Sequence, residues 1–541
     1  MAPPNLQAIR KPEQKQARLS MPVGGLNLIA STVNFPETDA YLVDNIIVRP
    51  FGCEIRKGWK QWYPVANAFA GTVRTVMAFV AANPSNNKLW CSPSTNGQIY
   101  DITSPNVAPS SVLTPTGTPT TLGLWYSVQF VTPAAAFLCA VAEGSGYYIY
   151  SVSGGWAAQA LTFPGGDSST VADLSFVFTW KNRVWFLRRN SSIAYYLPVN
   201  SISGTLASFD FGPQLLHGGY LQWAASWTYD SGSGIDDSLI ICSNAGDLLL
   251  WEGTDPSSSN TFALKGTWYV GRQPVGRRNF CQHGGNTLIL SEYGITSIAD
   301  LVAGRLHTSG IAQGLAYKVN TRLARLVSQY LTNEYWFMLT FPTEEILTVG
   351  TPYTDAQLGI RQSYCMNSIT QAWSTFSNLD MLCGTVYDGQ YIFGTRTGMV
   401  GSALVGVRDG DSSDSLTVGT EVTARIQTGF HNLGSPTMNK RLLRTKFYGL
   451  AEGLPAVYVV FKDEYDLNEL LNVSSPIPTG KSIWDTAKWD ETKWDLQRGS
   501  FKRWIGVAAV GKKLSMQCAV RGAGETLLTD YEVLFEEGIN L

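Results

Sequence analysis

LWCS at residues 89–92, FLCA at 137–140, VWFL at 184–187, LIIC at 239–242, LILS at 288–291, YWFM at 335–338 and YIFG at 391–394 are short apolar runs of one kind. Their starts lie 47–56 residues apart. Five of them lead into a glycine and then a second run: Gly97 before QIYD, Gly146 before YYIY, Gly246 before DLLLW, Gly294 before ITSI and Gly398 before MVGSA. Apolar strand, glycine turn and returning strand make an antiparallel hairpin, because only a permissive backbone reverses the chain so tightly. A hairpin unit recurring every roughly 40–50 residues has the period of a β-propeller blade. One blade cannot bury both of its faces, so such blades stack radially and shield each other's edges. The pattern therefore predicts an all-β chain with a β-propeller of six to eight blades.

The bulk numbers fit a large β protein. At 541 residues the chain is long enough for two or three structural units. Charged residues make up 15%, well below the roughly 25% usual in soluble domains. Aromatics reach 12%, with 17 Trp and 24 Tyr. Many strands and turns account for this, and so does an assembly surface, where charge is depleted and Tyr and Trp are enriched. Net charge is −2 and the basic residues are scattered, so no dense basic stripe points to tight nucleic-acid binding. Eight cysteines form no CxxC pair, and Cys91, Cys139 and Cys242 sit inside apolar runs, which favours buried reduced thiols.

Along the chain the pattern divides into four parts. Residues 1–20 carry Arg10, Lys11, Lys15 and Arg18 among three prolines, with too few apolar groups to pack; an extended or disordered arm is expected. They contain no apolar h-region, so no secretory leader is expected, nor does any apolar run reach membrane-spanning length. Residues 21–75 are an N-terminal β segment, 76–410 the propeller and 411–541 a C-terminal β domain. The first and last β regions are expected to join in an additional platform. TEEILTVGTPYTDAQLGIRQ (343–362) reads as a loop insertion, and TRLARLVSQYLT (321–332) as a helix. WDTAKWDETKWD repeats Trp484, Trp489 and Trp494 at a period of five, which matches neither helix nor strand. Three tryptophans are costly to leave wet, so they pack against the domain or against a partner.

Catalytic signatures are missing. The four histidines, His217, His283, His307 and His431, have neither metal-ligand spacing nor a paired cysteine, and read as turn or surface groups. No nucleophile elbow or phosphate-binding loop follows a strand. Asp236 and Asp237 are adjacent, hence on opposite faces of a strand, and make a poor acid–base pair. No catalytic residue, metal ligand or cofactor is assigned, and no enzyme activity is expected.

Two regions resemble a known family. Pro22-Val23-Gly24-Gly25-Leu26-Asn27, then Pro36, Ala40, Leu42, Asn45, Gly52, Arg56, Lys57, Gly58 and Trp59, resembles the opening of tail nozzle (tail hub) proteins of short-tailed bacteriophages. The Trp triplet, RWIGV, Gly511-Lys512-Lys513-Leu514-Ser515 and YEVLFEEG resemble the closing region of that group. The two stretches cover about 100 residues. The resemblance implies a structural virion protein, made in the bacterial host cytoplasm and resident in the virion tail. It would form a homo-hexameric ring below the adaptor, holding DNA in the capsid and surrounding the channel of double-stranded DNA ejection. Tail fibre, spike or needle proteins would be further partners, without membrane insertion. The basic arm, longer than the motif needs, is placed to reach a neighbouring subunit or the adaptor. A different reading remains open on residues alone, a carbohydrate-binding or carbohydrate-cleaving propeller acting on a host cell surface.

Overall fold

The computed structural model describes residues 14–32, 34–228, 237–258, 260–304, 314–354, 361–413, 418–463, 499–522 and 524–538. Strands dominate it, and the chain divides into two compact units. A central unit takes residues 58–365 and 377–420; a terminal unit takes 1–57, 366–376 and 421–541.

In the central unit the apolar runs are strands of successive antiparallel sheets. The first sheet comprises Val73–Phe79, Lys88–Pro93, Ile99–Asp101 and Ser110–Leu113; the second, Tyr126–Val131, Ala136–Ala142, Gly146–Ser151 and Gly155–Ala158. The third contains Leu174–Trp180, Arg183–Arg188, Ile193–Tyr196 and Ala207–Asp210, and the fourth Leu221–Thr228, Asp237–Ser243, Asp247–Gly253 and Phe262–Tyr269. The fifth has three strands, Phe280–His283, Asn286–Ser291 and Gly294–Ser297. Helices Ile298–Val302 and Tyr317–Gln329 follow it. The longer helix buries Val319, Leu323, Leu326 and Val327 on one face, the stripe that 321–332 foreshadowed. Phe337–Phe341, Ile346–Thr354 and Arg361–Asn367 come next, then Cys383–Tyr387, Gln390–Gly394 and Val400–Ala403.

The five turn glycines all adopt positive φ, from 68° at Gly97 to 118° at Gly146, which the reversal requires and a Cβ would oppose. Six of the seven runs are the second strand of their sheet. The exception starts at Tyr335, whose strand is the first of its sheet. The expected insertion at 343–362 is corrected by the same finding: it contains strand Ile346–Thr354, paired Phe341 to Ile346 and Phe337 to Gly350. Gly350 and Pro352 disguised a strand whose ILTV run, β-branched except at Leu347, is fully buried.

Neighbouring sheets share cores in series. Met77, Trp90 and Leu138 join the first to the second, and Cys139, Tyr147 and Phe186 the second to the third. Trp185, Trp223, Leu239 and Ile289 join the third, fourth and fifth. The series returns to its start: Val73, Val76 and Cys91 pack with Cys383, Ile392 and Val400. Strand Trp59–Gln61, from the beginning of the unit, pairs antiparallel with Val400–Ala403 and so joins the last sheet, which continues through Arg408–Asp411 and Thr420–Glu421.

The terminal unit is built from distant segments. One sheet runs Ile46–Arg49, Gly52–Ile55, Thr526–Glu537, Lys440–Ala451 and Gly499–Gly511, and Gln14–Ser20 also pairs with Thr526–Glu537. The other strands include Trp373–Ser377, Asp39–Asp44, Thr423–Thr428, Leu514–Arg521 and Ala456–Asp463, in that order. Residues 14–20 of the basic arm are extended, and they are paired rather than free. They form seven consecutive ladder pairs, from Gln14 with Glu536 to Ser20 with Asp530. A ladder needs backbone groups rather than apolar side chains, and no side chain of this strand is buried. Arg10 and Lys11, like Trp484, Trp489 and Trp494, lie outside the described residues. Among the described residues no helix is long and apolar enough to cross a membrane.

Candidate functional site

Strands from several sheets of the central unit surround a cavity of about 340 Å³. Thr75, Tyr126, Phe176, Phe280, Phe337 and Thr385 contribute to its lining, together with Arg277 and Arg278. The two arginines come from the segment that precedes strand Phe280–His283, and its neighbours hold it firmly. Gln222, fully buried, donates through Nε2 to the Gly276 carbonyl at 2.8 Å and to that of Pro274. Trp223 Nε1 donates to Gln273 Oε1 at 2.5 Å. Arg277 Nη1 donates to the Gln222 carbonyl at 2.6 Å, and its Nη2 reaches Glu143 Oε2 at 3.3 Å. Arg278 donates through Nη1 to the Arg74 carbonyl at 2.7 Å, and through Nη2 to Thr75 Oγ1 at 2.7 Å and the Trp125 carbonyl at 2.9 Å. Arg74 in turn pairs with Glu334 at 3.4 Å and donates to the Tyr335 hydroxyl at 3.2 Å. A smaller cavity, about 190 Å³, adjoins through Tyr126 and Arg277 and is lined by Glu143 and Glu334. Both of those carboxylates are engaged by arginines, Glu143 by Arg277 and Glu334 by Arg74.

Nothing in the sequence pattern singled out Arg277 or Arg278. The available signal was GRRNF at 276–280, two adjacent guanidinium groups just before an apolar strand in a charge-poor chain. His217 is also more than a turn residue. Its Nδ1 lies 2.6 Å from Asp247 Oδ1, its amide donates to Asp247 Oδ2 at 2.7 Å, and its ring sits 4.4 Å from that of Tyr269. Asp247 is fully buried, so this pair satisfies a carboxylate that would otherwise be stranded.

The family-like residues are used for packing. A Cβ on Gly24 would stand 2.0 Å from Asp39 Oδ1. Gly25, at φ +74°, leaves no room either, with the Trp373 carbonyl oxygen 2.7 Å from where its Cβ would be. Leu26 is buried, and Asn27 donates through Nδ2 to Asp39 at 2.7 Å while its Oδ1 caps the amides of Ile29 and Ala30. Asn45 takes the left-handed conformation, φ 58°, donating from its backbone to Thr375 at 2.7 Å and from Nδ2 to Thr423 at 2.9 Å. Its Oδ1 receives Nε of the buried Arg56 at 2.8 Å. These are knots of the terminal unit. In the central unit, Gly58 lies against the Arg408 backbone, and the Trp59 ring meets Phe393 edge-on at 5.4 Å.

The assembly residues that are described pair within the chain. Lys15 Nζ meets Glu537 Oε2 at 2.5 Å, and Arg18 Nη2 meets Asp530 Oδ2 at 2.9 Å with its guanidinium over the Tyr448 ring. All eight cysteines are buried and free. Burial pushes the Cys139, Cys281 and Cys518 thiols up to about 12, the opposite of what a nucleophilic thiolate needs. Among the described residues no cluster of three His, Cys, Asp or Glu could hold a metal ion.

No family model and no curated protein matches the chain. Among solved structures it is similar to the computationally designed Ika8 protein, at 8% identity, over 64% of this chain and 99% of that one, with a TM-score of 0.35. So loose a likeness carries no argument.

Proposed function

We propose that the chain is a structural tail component of a short-tailed bacteriophage, a nozzle subunit that assembles as a ring of six below the adaptor and catalyses nothing. In this reading the central unit is a seven-bladed β-propeller, with strand Trp59–Gln61 fastening the last blade, and the terminal unit is the platform. The single observation that carries the assembly is strand Gly499–Gly511. It is 13 residues long, lies at the end of its sheet and pairs only with Lys440–Ala451 among the described residues. Its WIGVAAV stretch (504–510) is apolar, yet Trp504 is 42% and Val510 41% exposed. A long apolar edge left open invites uncontrolled pairing, so proteins that keep one cover it. A neighbouring copy of the same chain is the cover assigned to it here. A heterologous contact of that kind closes into a ring when its rotation allows.

Mass photometry of the purified chain, alone and with its adaptor ring, tests this. Six copies per adaptor are expected, and Val510→Lys should reduce that occupancy without lowering the melting temperature of the free chain. One or two copies on a saturated adaptor would sink the proposal.

A further inference from the structure

Arg277 and Arg278, which line the larger cavity, and Arg74, whose carbonyl accepts from Arg278, differ in one respect. Arg277 has Glu143 and Arg74 has Glu334, but Arg278 has only uncharged partners, the oxygens of Arg74, Thr75 and Trp125 and the Tyr126 ring, whose centroid lies 5.5 Å from its guanidinium carbon. Those bonds occupy three of its five N–H groups. No carboxylate among the described residues lies within ion-pairing distance of it. A half-buried guanidinium without a counter-charge is a cost that a bound anion removes. The space beside it has the size of a small-molecule site: about 340 Å³, where ligand pockets begin at roughly 300 Å³. Tyr126, Phe176, Phe280 and Phe337 are among its lining residues and suit a flat apolar body, while Ser127 and Thr385 add polar lining.

We propose that this cavity binds a small organic anion, a single carboxylate on a flat apolar body, with Arg278 as the partner of the carboxylate. One uncompensated positive charge matches one negative charge. A phosphate monoester would bring nearly two charges and set the second against aromatic walls. The lining strands belong to several sheets, so a ligand here ties them together and stabilises the folded central unit by mass action.

The test uses the purified full chain with benzoate and its neutral analogue benzamide as probes, read by saturation-transfer NMR and by melting temperature. Benzoate should bind and raise the melting temperature, and benzamide should bind roughly tenfold more weakly or worse, the usual value of a charged hydrogen bond. Arg278→Gln should remove the preference. Because Arg278 also bridges three neighbours, that variant can fail to fold. Thr385→Leu therefore provides a second arm, filling the cavity from another strand with Arg278 intact, and should abolish binding of both probes. Equal binding of the two probes to the wild-type chain, binding of neither, or benzoate binding unchanged by Thr385→Leu overturns the proposal.

Discussion

The two units of this protein are made from the same kind of strand in opposite ways. In the central unit most sheets come from a contiguous stretch, Trp59–Gln61 beside Val400–Ala403 being the exception; Ala136–Ala142 and Gly146–Ser151 pair within one hairpin. In the terminal unit the Lys15–Glu537 bond joins residues 522 apart. Local pairing closes small loops cheaply, whereas pairing the chain ends carries the closure entropy of nearly the whole polypeptide. The terminal unit offsets this with dense, exacting contacts at few positions, such as Asn45 with Thr375, Thr423 and Arg56. The central unit relies on bulk: large aromatic side chains repeated from sheet to sheet.

That contrast predicts where damage falls. The largest effect should follow Trp185→Ala. Trp185 is fully buried, against Phe178 at 5.9 Å, Trp180 at 6.0 Å and Tyr196 at 4.6 Å. Truncation should cost about 3–5 kcal/mol. Calorimetry should show the central unit melting earlier while the terminal unit keeps its transition. A uniform shift of one shared transition would show that the two units do not melt independently.

Gly25→Ala should be the next most damaging, this time in the terminal unit. The left-handed φ costs an alanine about 1–2 kcal/mol, and the clash with the Trp373 backbone adds about 1–3 kcal/mol. Gly166 provides the control: its φ is +86°, but nothing lies within 4 Å of where a Cβ would stand, so Gly166→Ala should show only the conformational part. Similar losses at the two sites in urea titrations would mean that the close approach at Gly25 relaxes.

The same contrast explains what could be read from sequence. The hairpins were legible because strand, glycine turn and strand fall within one short window, as at Leu239–Gly246–Trp251. The sixth sheet was misread because Pro342, Gly350 and Pro352 resemble loop punctuation, though Ile346 to Gly350 pair with Phe341 to Phe337. The pairing of Gln14–Ser20 with Thr526–Glu537 was illegible, since a polar strand supported mainly by backbone bonds leaves no periodic trace. The cavity was hidden for a related reason: its walls come from strands far apart in sequence, and no pattern singled out the two adjacent arginines. The described motif residues of the terminal unit, Gly24 to Asn27 and Asn45, were visible, and their work is packing.

A smaller, pH-dependent effect belongs to the terminal unit. Burial lowers the pKa of His431 below its ordinary 6.5, with Glu37 opposing weakly. Folded His431 therefore binds a proton less readily than the unfolded chain does. Its contribution to stability is complete above pH 6.5 and is lost as the pH falls through the lower folded value. His431→Leu should accordingly flatten the fall in melting temperature between about pH 7.5 and about pH 5. An identical slope in the variant would mean that carboxylates alone set the acid limit.

The smallest effect should come from the charged side chains of strand Gln14–Ser20. Lys15 and Arg18 are 47% and 61% exposed, so water and salt screen their pairs with Glu537 and Asp530. The strand itself contributes seven ladder positions whose backbone bonds salt hardly touches. Two variants separate these contributions. Lys15→Gln with Arg18→Gln keeps the ladder and removes the charges, and should leave the melting temperature of the terminal unit nearly unchanged, any deficit vanishing at high salt. Deletion of residues 1–20 removes the ladder as well, exposing the outer edge of Thr526–Glu537, and should lower that melting temperature at every salt concentration. If the double substitution matched the deletion, charge rather than strand pairing would hold the N-terminal segment, and this unit would depend on side chains where its geometry points to backbone.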